Sequence, residues 1–152
     1  MTPAVVAAQR AGIRFALHEY TDAAYGETDD YAVAVARELG FEPAHAFKTL
    51  VASVDGDLRV FVVPSHRQLD LRAVGKRAVL ADRVDAERAT GYVAGGISPL
   101  GQRKRLPTTL DESALAFETI LVSAGRRGLQ LELAPRDLVA LTGADTRAVA
   151  RA

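Results

Sequence analysis

FKTLVASVDGDLRVFVV, residues 47–63, decides the fold class. Two apolar, β-branched runs flank Asp55-Gly56-Asp57, and a glycine in so short a connection supplies the positive φ that a tight hairpin needs. Along the first run Phe47, Thr49, Val51 and Ser53 face one way, while Lys48, Leu50, Ala52 and Val54 face the other. Lys48 is thus a charge set in an apolar strand. It either carries its stem out to water as an edge charge or meets an anion.

Working outward, Thr2-Pro3 predicts a helix start, with a hydroxyl cap and proline in the first turn, and Gly12 predicts its end. Residues 14–20 alternate as a strand. Residues 22–30 read as a polar loop whose Asp29/Asp30 would cap a helix running to Leu39. Helices are expected over 69–76 and 82–90, the second capped by Asp82, with a short strand at 78–80 between them. A short strand at 108–110 and a helical turn at 111–116 follow. A second hairpin joins 118–123 to 129–133. A helix over 135–141 comes next, and Asp145 is expected to cap a last turn. Helices interleaved with antiparallel hairpins, without regular βαβ alternation, predict an α+β domain around a mixed, largely antiparallel sheet.

The chain has 152 residues, 49% of them apolar and 25% charged, which fits one globular domain with a real core. Its formal net charge is zero, so any affinity for a polyanion must come from local clusters. It has no cysteine, which excludes a thiolate nucleophile or metal site in the protein. The start MTPAVVAAQR is too short and lacks the basic residues of a signal peptide, and no window approaches a membrane span. A cytoplasmic protein with no membrane partner is the expectation.

Chemistry is expected in residues 90–112, TGYVAGGISPLGQRKRLPTTLDE. Gly91, Gly95, Gly96 and Gly101, with Pro99 and Pro107, rule out a helix or central strand, and glycine lets backbone amides approach a ligand closely. The alternative is a tight connection with no ligand. The loop runs into Arg103-Lys104-Arg105. Gln102 stands where a phosphate-binding loop needs lysine, and no βαβ unit frames a dinucleotide fingerprint. Ser123-Ala124-Gly125-Arg126-Arg127-Gly128 reads either as a hairpin turn with solvated arginines or as a hydroxyl with a cationic rim facing the same site. His18, His45 and His66 are scattered, so no metal is expected. No order of Ser, His and Asp suggests a triad.

Taken together, MTPAV at the start, HEY at 18–20, FKTL at 47–50, QLDL at 68–71, TGYVAGGISPLGQRKRLPT at 90–108 and VSAGRRGLQLEL at 122–133 resemble the YbaK/EbsC family. Its members are free-standing relatives of the editing domain of prolyl-tRNA synthetases, and the pattern is most similar to its Cys-tRNA(Pro) deacylase branch. The resemblance implies a curved, barrel-like sheet surrounded by helices and no cofactor or metal. It also implies a trans-editing deacylase in which the substrate's own cysteine thiol attacks the ester on tRNA(Pro). The implied catalytic positions are Lys48, which would anchor the terminal ribose or phosphate, and the backbone of Gly95, Gly96, Ser98 and Gly101, which would hold the carbonyl. Tyr20, Tyr31, Thr49, Ile97, Pro99 and Ser123 would line the substrate pocket. Arg103, Lys104, Arg105, Arg126 and Arg127 would contact the acceptor stem, with prolyl-tRNA synthetase as a partner. Three positions depart from the family pattern: Tyr31 for phenylalanine, Ala124 for glycine and Gln130 for aspartate. If these surround the amino-acid pocket, alanine or another small side chain is an alternative substrate. A binding module without catalysis is the other alternative.

Overall fold

The computed structural model describes residues 1–21 and 31–152; the expected 22–30 loop with its Asp29/Asp30 cap, and the side chain of Tyr31, lie outside the described residues. The hairpin forms as its sequence dictates. Strands β2 (Phe47–Val54) and β3 (Asp57–Pro64) pair antiparallel from Phe47↔Pro64 to Val54↔Asp57. Asp55 and Gly56 both take positive φ, 52° and 91°, the turn whose twist matches that of paired strands.

Around it lie β4 (Gln68–Leu69), β5 (Val79–Leu80), β6 (Thr108–Asp111), β9 (Asp145–Arg147) and β10 (Ala150–Arg151). The larger sheet runs β5-β2-β3-β6-β9, with β3·β6 and β6·β9 parallel, while β10 pairs with β4 separately. A second sheet, β1-β8-β7, is antiparallel and built from β1 (Phe15–Glu19), β7 (Ile120–Arg126) and β8 (Leu129–Leu133). These are separate sheets and not a closed barrel, which corrects that part of the family-based expectation. One parallel bridge, Ala46↔Leu121, joins the start of β2 to β7.

The helices are α1 (Pro3–Ala11), α2 (Tyr31–Glu38), α3 (Leu71–Val74), α4 (Arg83–Thr90) and α5 (Pro135–Thr142). Thr2 caps α1 and Asp82 caps α4, each accepting an amide of the first turn, as their positions predict. Two expectations fail locally. The helix expected over 69–76 shrinks to one turn, because β10 recruits Gln68 and Leu69 as a strand and Gly75 ends the helix. Asp145 does not cap a turn. It opens β9, and its carboxylate accepts from the Thr109 hydroxyl at 2.6 Å.

The main core fills the space between the sheets with Phe47, Val51, Val60, Val62, Leu110, Ile120, Val122 and Leu131. Each such side chain withdrawn from water contributes about 1.5–3 kcal/mol. A smaller cluster, Ala52, Phe61, Val63, Leu69, Val74 and Val149, covers the other face of β2 and β3. Lys48 lies on that second face by strand alternation.

Asp111 ties the C-terminus to this frame. One oxygen accepts from the amides of Val149 (2.9 Å) and Ala150 (3.0 Å), the other from the amide and hydroxyl of Ser113. Burial pushes its carboxyl up, but these hydrogen bonds outweigh burial and hold it below its ordinary value. Asp111→Ala leaves buried amides without acceptors and should cost about 3 kcal/mol, read from the urea midpoint at pH 7. Because the folded-state value is lowered, the stabilisation is complete above the ordinary carboxylate range and is lost as pH falls below about 4. The stability gap between the native chain and Asp111→Asn should therefore narrow between pH 5 and pH 2.

Candidate active site

The loop after α4 is built on its own polar contacts. Gly91 ends α4 in the left-handed conformation. The Tyr92 hydroxyl donates to the carbonyl of Leu100, closing the loop across its neck. Burial pushes the Tyr92 phenol up to about 12, so it stays a neutral donor. Glu87 accepts the amide of Ala94 at 2.6 Å, Gln102 donates to the carbonyl of Ser98 at 2.9 Å, and the Ser98 hydroxyl accepts the amide of Leu100 at 3.2 Å. Gly96 spends its own amide on Val93. Among the described residues the amides of Gly95, Ile97 and Ser98 have no intramolecular acceptor. Gly95 is exposed, Ile97 half-buried and Ser98 buried, and the amide of Gly101 is likewise without an acceptor.

Two of the glycines have a structural duty that a ligand-based reading does not foresee. A Cβ on Gly96 would stand 2.7 Å from the Cα of Arg126, and one on Gly101 would stand 2.5 Å from the carbonyl oxygen of Pro3. The loop thus rests backbone to backbone on β7 and on the first turn of α1. Gly96 and Gly101 fix where the loop sits, and the amide of Gly96 is already spent.

The bridge Ala46↔Leu121 runs parallel, so two residues further along each strand come Lys48 and Ser123. Both lie on faces opposite the main core, since Phe47, Val51, Val122 and Ala124 point into it. Ser123 pairs in register with Gln130, and Gln130 with His18; Tyr20, buried at the end of β1, shares the His18 face by alternation. Three residues past Ser123 stands Arg126, against which Gly96 packs. Register thus sets Lys48 beside Ser123 where β2 meets β7, Tyr20 on the His18 side of the same sheet, and the Gly95–Gly96 turn against Arg126 and Arg127 at the far end of β7. The Ser123 hydroxyl already accepts the amide of Gly125 at 3.1 Å, leaving its proton as the free capacity.

The remaining residues sit elsewhere. Thr49 faces the main-core side of β2, its buried hydroxyl without a partner. Ile97 packs against the main core, and Pro99 lines a separate hollow with Gly101, Gln102, Lys104, Arg105 and α5. Arg103 lies over Gly91 and Arg105 beside Gly143, while Arg126 and Arg127 flank Gly96 and Gly95. Ala124 is fully buried in the main core, so its replacement of glycine leaves the Ser123 face untouched; Gln130 is the departure that lies on it.

Sequence reading missed three residues that hold the loop: Thr2, Tyr92 and Glu87. The Thr2 hydroxyl caps Val5 and also donates to the carbonyl of Ala124 at 2.5 Å, linking α1 to β7. Thr2-Pro3 announces the cap but not the second bond. A tyrosine between glycines gives no local sign of its partner eight residues on.

Gly96 is not in the positive-φ region, so its replacement tests close approach alone. Gly96→Ala should cost about 1–3 kcal/mol in unfolding by urea through backbone displacement. Tyr92→Phe should cost about 1–2 kcal/mol by leaving the Leu100 carbonyl unpaired.

The comparisons with known proteins bear on the family and the fold. A protein of Enterococcus faecalis named as the candidate Cys-tRNA(Pro)/Cys-tRNA(Cys) deacylase EbsC is 40% identical over 126 residues, covering 78% of this chain and 76% of that one. A crystal structure described as a candidate trans-editing enzyme for prolyl tRNA synthetase superposes with a TM-score of 0.81 at 24% identity, covering 100% of this chain and 99% of the other. Another, described as a hypothetical protein, gives 0.84 at 24% identity over 98% of this chain and 99% of the other. Both share the fold. The model of the aminoacyl-tRNA editing domain matches residues 27–141, a span that contains Lys48, the glycine loop and Ser123, and the chain belongs to that family.

Proposed function

We propose that this editing-domain protein is a trans-acting deacylase that removes cysteine from mischarged tRNA, with tRNA(Pro) as its principal substrate. The observation that carries the reading is the set of unspent amides at Gly95, Ile97 and Ser98, held against β7, the strand that carries Ser123 and meets the strand of Lys48. An aminoacyl ester is already activated, so orientation and preorganised donors supply the acceleration. The amides receive the ester carbonyl as negative charge develops on its oxygen. The Lys48 ammonium holds the terminal ribose or its phosphate. Ser123 donates its hydroxyl proton to the substrate, and Tyr20 walls the pocket.

The nucleophile we assign is the substrate's own thiol. Its sulfur attacks the ester carbon, the carbon–sulfur bond forms and the bond to the ribose oxygen breaks. The thiol proton ends on that oxygen, giving a cyclic thiolactone and free tRNA. The name of the Enterococcus faecalis relative couples cysteine with two tRNAs, which supports the amino acid as the constant element of recognition. Contacts from arginine and lysine to phosphates position a tRNA without reading its sequence, so we assign the choice of tRNA to a partner, prolyl-tRNA synthetase.

A second reading rests on Gln130. A neutral amide stands next to Ser123 where the family pattern has a carboxylate, and such a pocket also accepts alanine, with water as the nucleophile.

The test is loss of ester from Cys-tRNA(Pro), Ala-tRNA(Pro) and Cys-tRNA(Cys) incubated with the pure chain. Thiol attack predicts that cysteine is removed at least about 10²-fold faster than alanine; comparable rates favour water. Ester loss no faster than in buffer, with tRNA binding retained, leaves only a binding module. Lys48→Ala should lower the rate by about 10²-fold, the scale of one lost transition-state contact. Full activity in that variant removes Lys48 from the mechanism.

A further inference from the structure

On the second face of the larger sheet lies a hollow of about 450 Å³, whose lip includes Lys48. It falls within the range of about 300–1,000 Å³ typical of small-ligand sites. Its cations are Lys48, Arg67 and Arg151, with His66 beside them, and none of its described lining residues is a carboxylate. In a chain of zero net charge this is a local excess of one sign. The neighbouring Asp70 accepts the amide of Arg72 as the cap of α3 and lines an adjoining hollow with Arg151.

The cations are not simply a solvated fringe. Arg151 is paired in register with Gln68 across β10·β4, and its guanidinium donates to the Gln68 side-chain oxygen at 2.6 Å. A second guanidinium nitrogen donates to the carbonyl oxygen of Ala152 at 3.1 Å, so the fork is oriented and only its remaining N–H groups are left for an oxyanion. The Ser65 hydroxyl, in the same wall, is buried with no hydrogen-bond partner. Leucines make up the rest of the wall, and Leu80 is 54% exposed beside them. A surface combining oriented cations with apolar patches suits a unit that has both a phosphate and a flat base.

We propose that this hollow seats the single-stranded nucleotides that precede the terminal adenosine of the substrate tRNA. Phosphate would lie on Arg67 and Arg151, and a base would rest on Leu80 and Leu50. Lys48 belongs to both the hollow and the Ser123 end of β2. A strand leaving the hollow past Lys48 therefore arrives at the ester. The inference rests on the deacylase reading for the identity of its ligand, but its test needs no turnover.

The probe is a fluorescent single-stranded RNA ending in CCA, titrated into the full chain and followed by anisotropy at several salt concentrations. The double variant Arg67→Ala/Arg151→Ala should bind about tenfold more weakly near 0.1 M salt. Its slope of log affinity against log salt should shrink by roughly 0.7 for each charge removed. The double variant Arg10→Ala/Arg136→Ala removes the same charge away from the hollow and should lose clearly less. Equal losses in the two variants, or an unchanged salt slope in the first, overturn the proposal. So does full displacement of the RNA by inorganic phosphate at matched phosphate concentration, which would make the hollow a free-anion site. If the chain proves active, Arg67→Ala/Arg151→Ala should lose at least tenfold more kcat/KM on charged tRNA than on a 3′-cysteinyl adenosine ester. Absence of deacylation with the RNA result intact defeats the enzymatic reading and leaves the nucleotide site standing.

Discussion

Backbone resting on backbone is the constraint from which the rest of the site follows. At Gly96 and Gly101 the loop touches β7 and α1 with no side chain between, and any Cβ would fall inside van der Waals distance of main-chain atoms. Contacts of this kind cannot slide, because neither partner has a rotamer to change. The direction of the amides at Gly95, Ile97 and Ser98 is therefore set by folding and not by ligand binding. Donors fixed in advance need no reorganisation when charge develops, which is the advantage the proposed deacylase would draw from them. The Thr2 hydroxyl, the Tyr92 phenol and the Glu87 carboxylate serve the same end from three sides of the loop.

Charge is organised on a similarly local scale. Zero net charge excludes a general field that draws in polyanions, yet cations are gathered beside Gly95–Gly96, around the hollow under Pro99, and along the lip running from Lys48 to Arg151. Exposed charges separated by more than about 8–10 Å are largely screened at physiological salt, so each group acts on what touches it. Such a surface favours a flexible, extended anion that visits several clusters over a rigid one that needs a single broad patch.

Much of the frame was legible because its signals are local. Period-two alternation around Asp55-Gly56 defines β2 and β3, and the caps at Thr2 and Asp82 need only their own helices. The C-terminus was not legible, because an aspartate opening a polar stretch looks like a helix cap. Asp145 instead finds Thr109 in a strand distant in sequence. Residues 68–69 were drawn from helix to strand for the same kind of reason, by pairing with Ala150 and Arg151. At the site, strand parity put Lys48 on the face opposite Phe47 and Val51, and it is those two that enter the main core. The meeting of β2 with β7 rests on one long-range bridge that leaves no mark in either strand. The glycines were legible as an unusual loop, but close approach to a ligand and close approach to the protein look alike in sequence.

The ionisable pair on the Ser123 sheet face bears on the kind of catalysis this site can perform. His18 and Glu132 lie together at 2.9 Å, and Glu132 also accepts the Thr119 hydroxyl. Burial pushes the Glu132 carboxyl up, but the bonds from Thr119 and His18 outweigh it and hold it below its ordinary value. A carboxylate with a lowered value and committed lone pairs is a poor proton acceptor, so Glu132 serves the sheet. On the proposed reading, what that end of β7 supplies is a set of positioning groups: fixed amides, a hydroxyl, an ammonium and an aromatic wall. Such a set does little for a substrate that lacks a nucleophile of its own. It suits one that carries both the activated ester and the attacking atom, which is the ground on which cysteine is proposed over alanine.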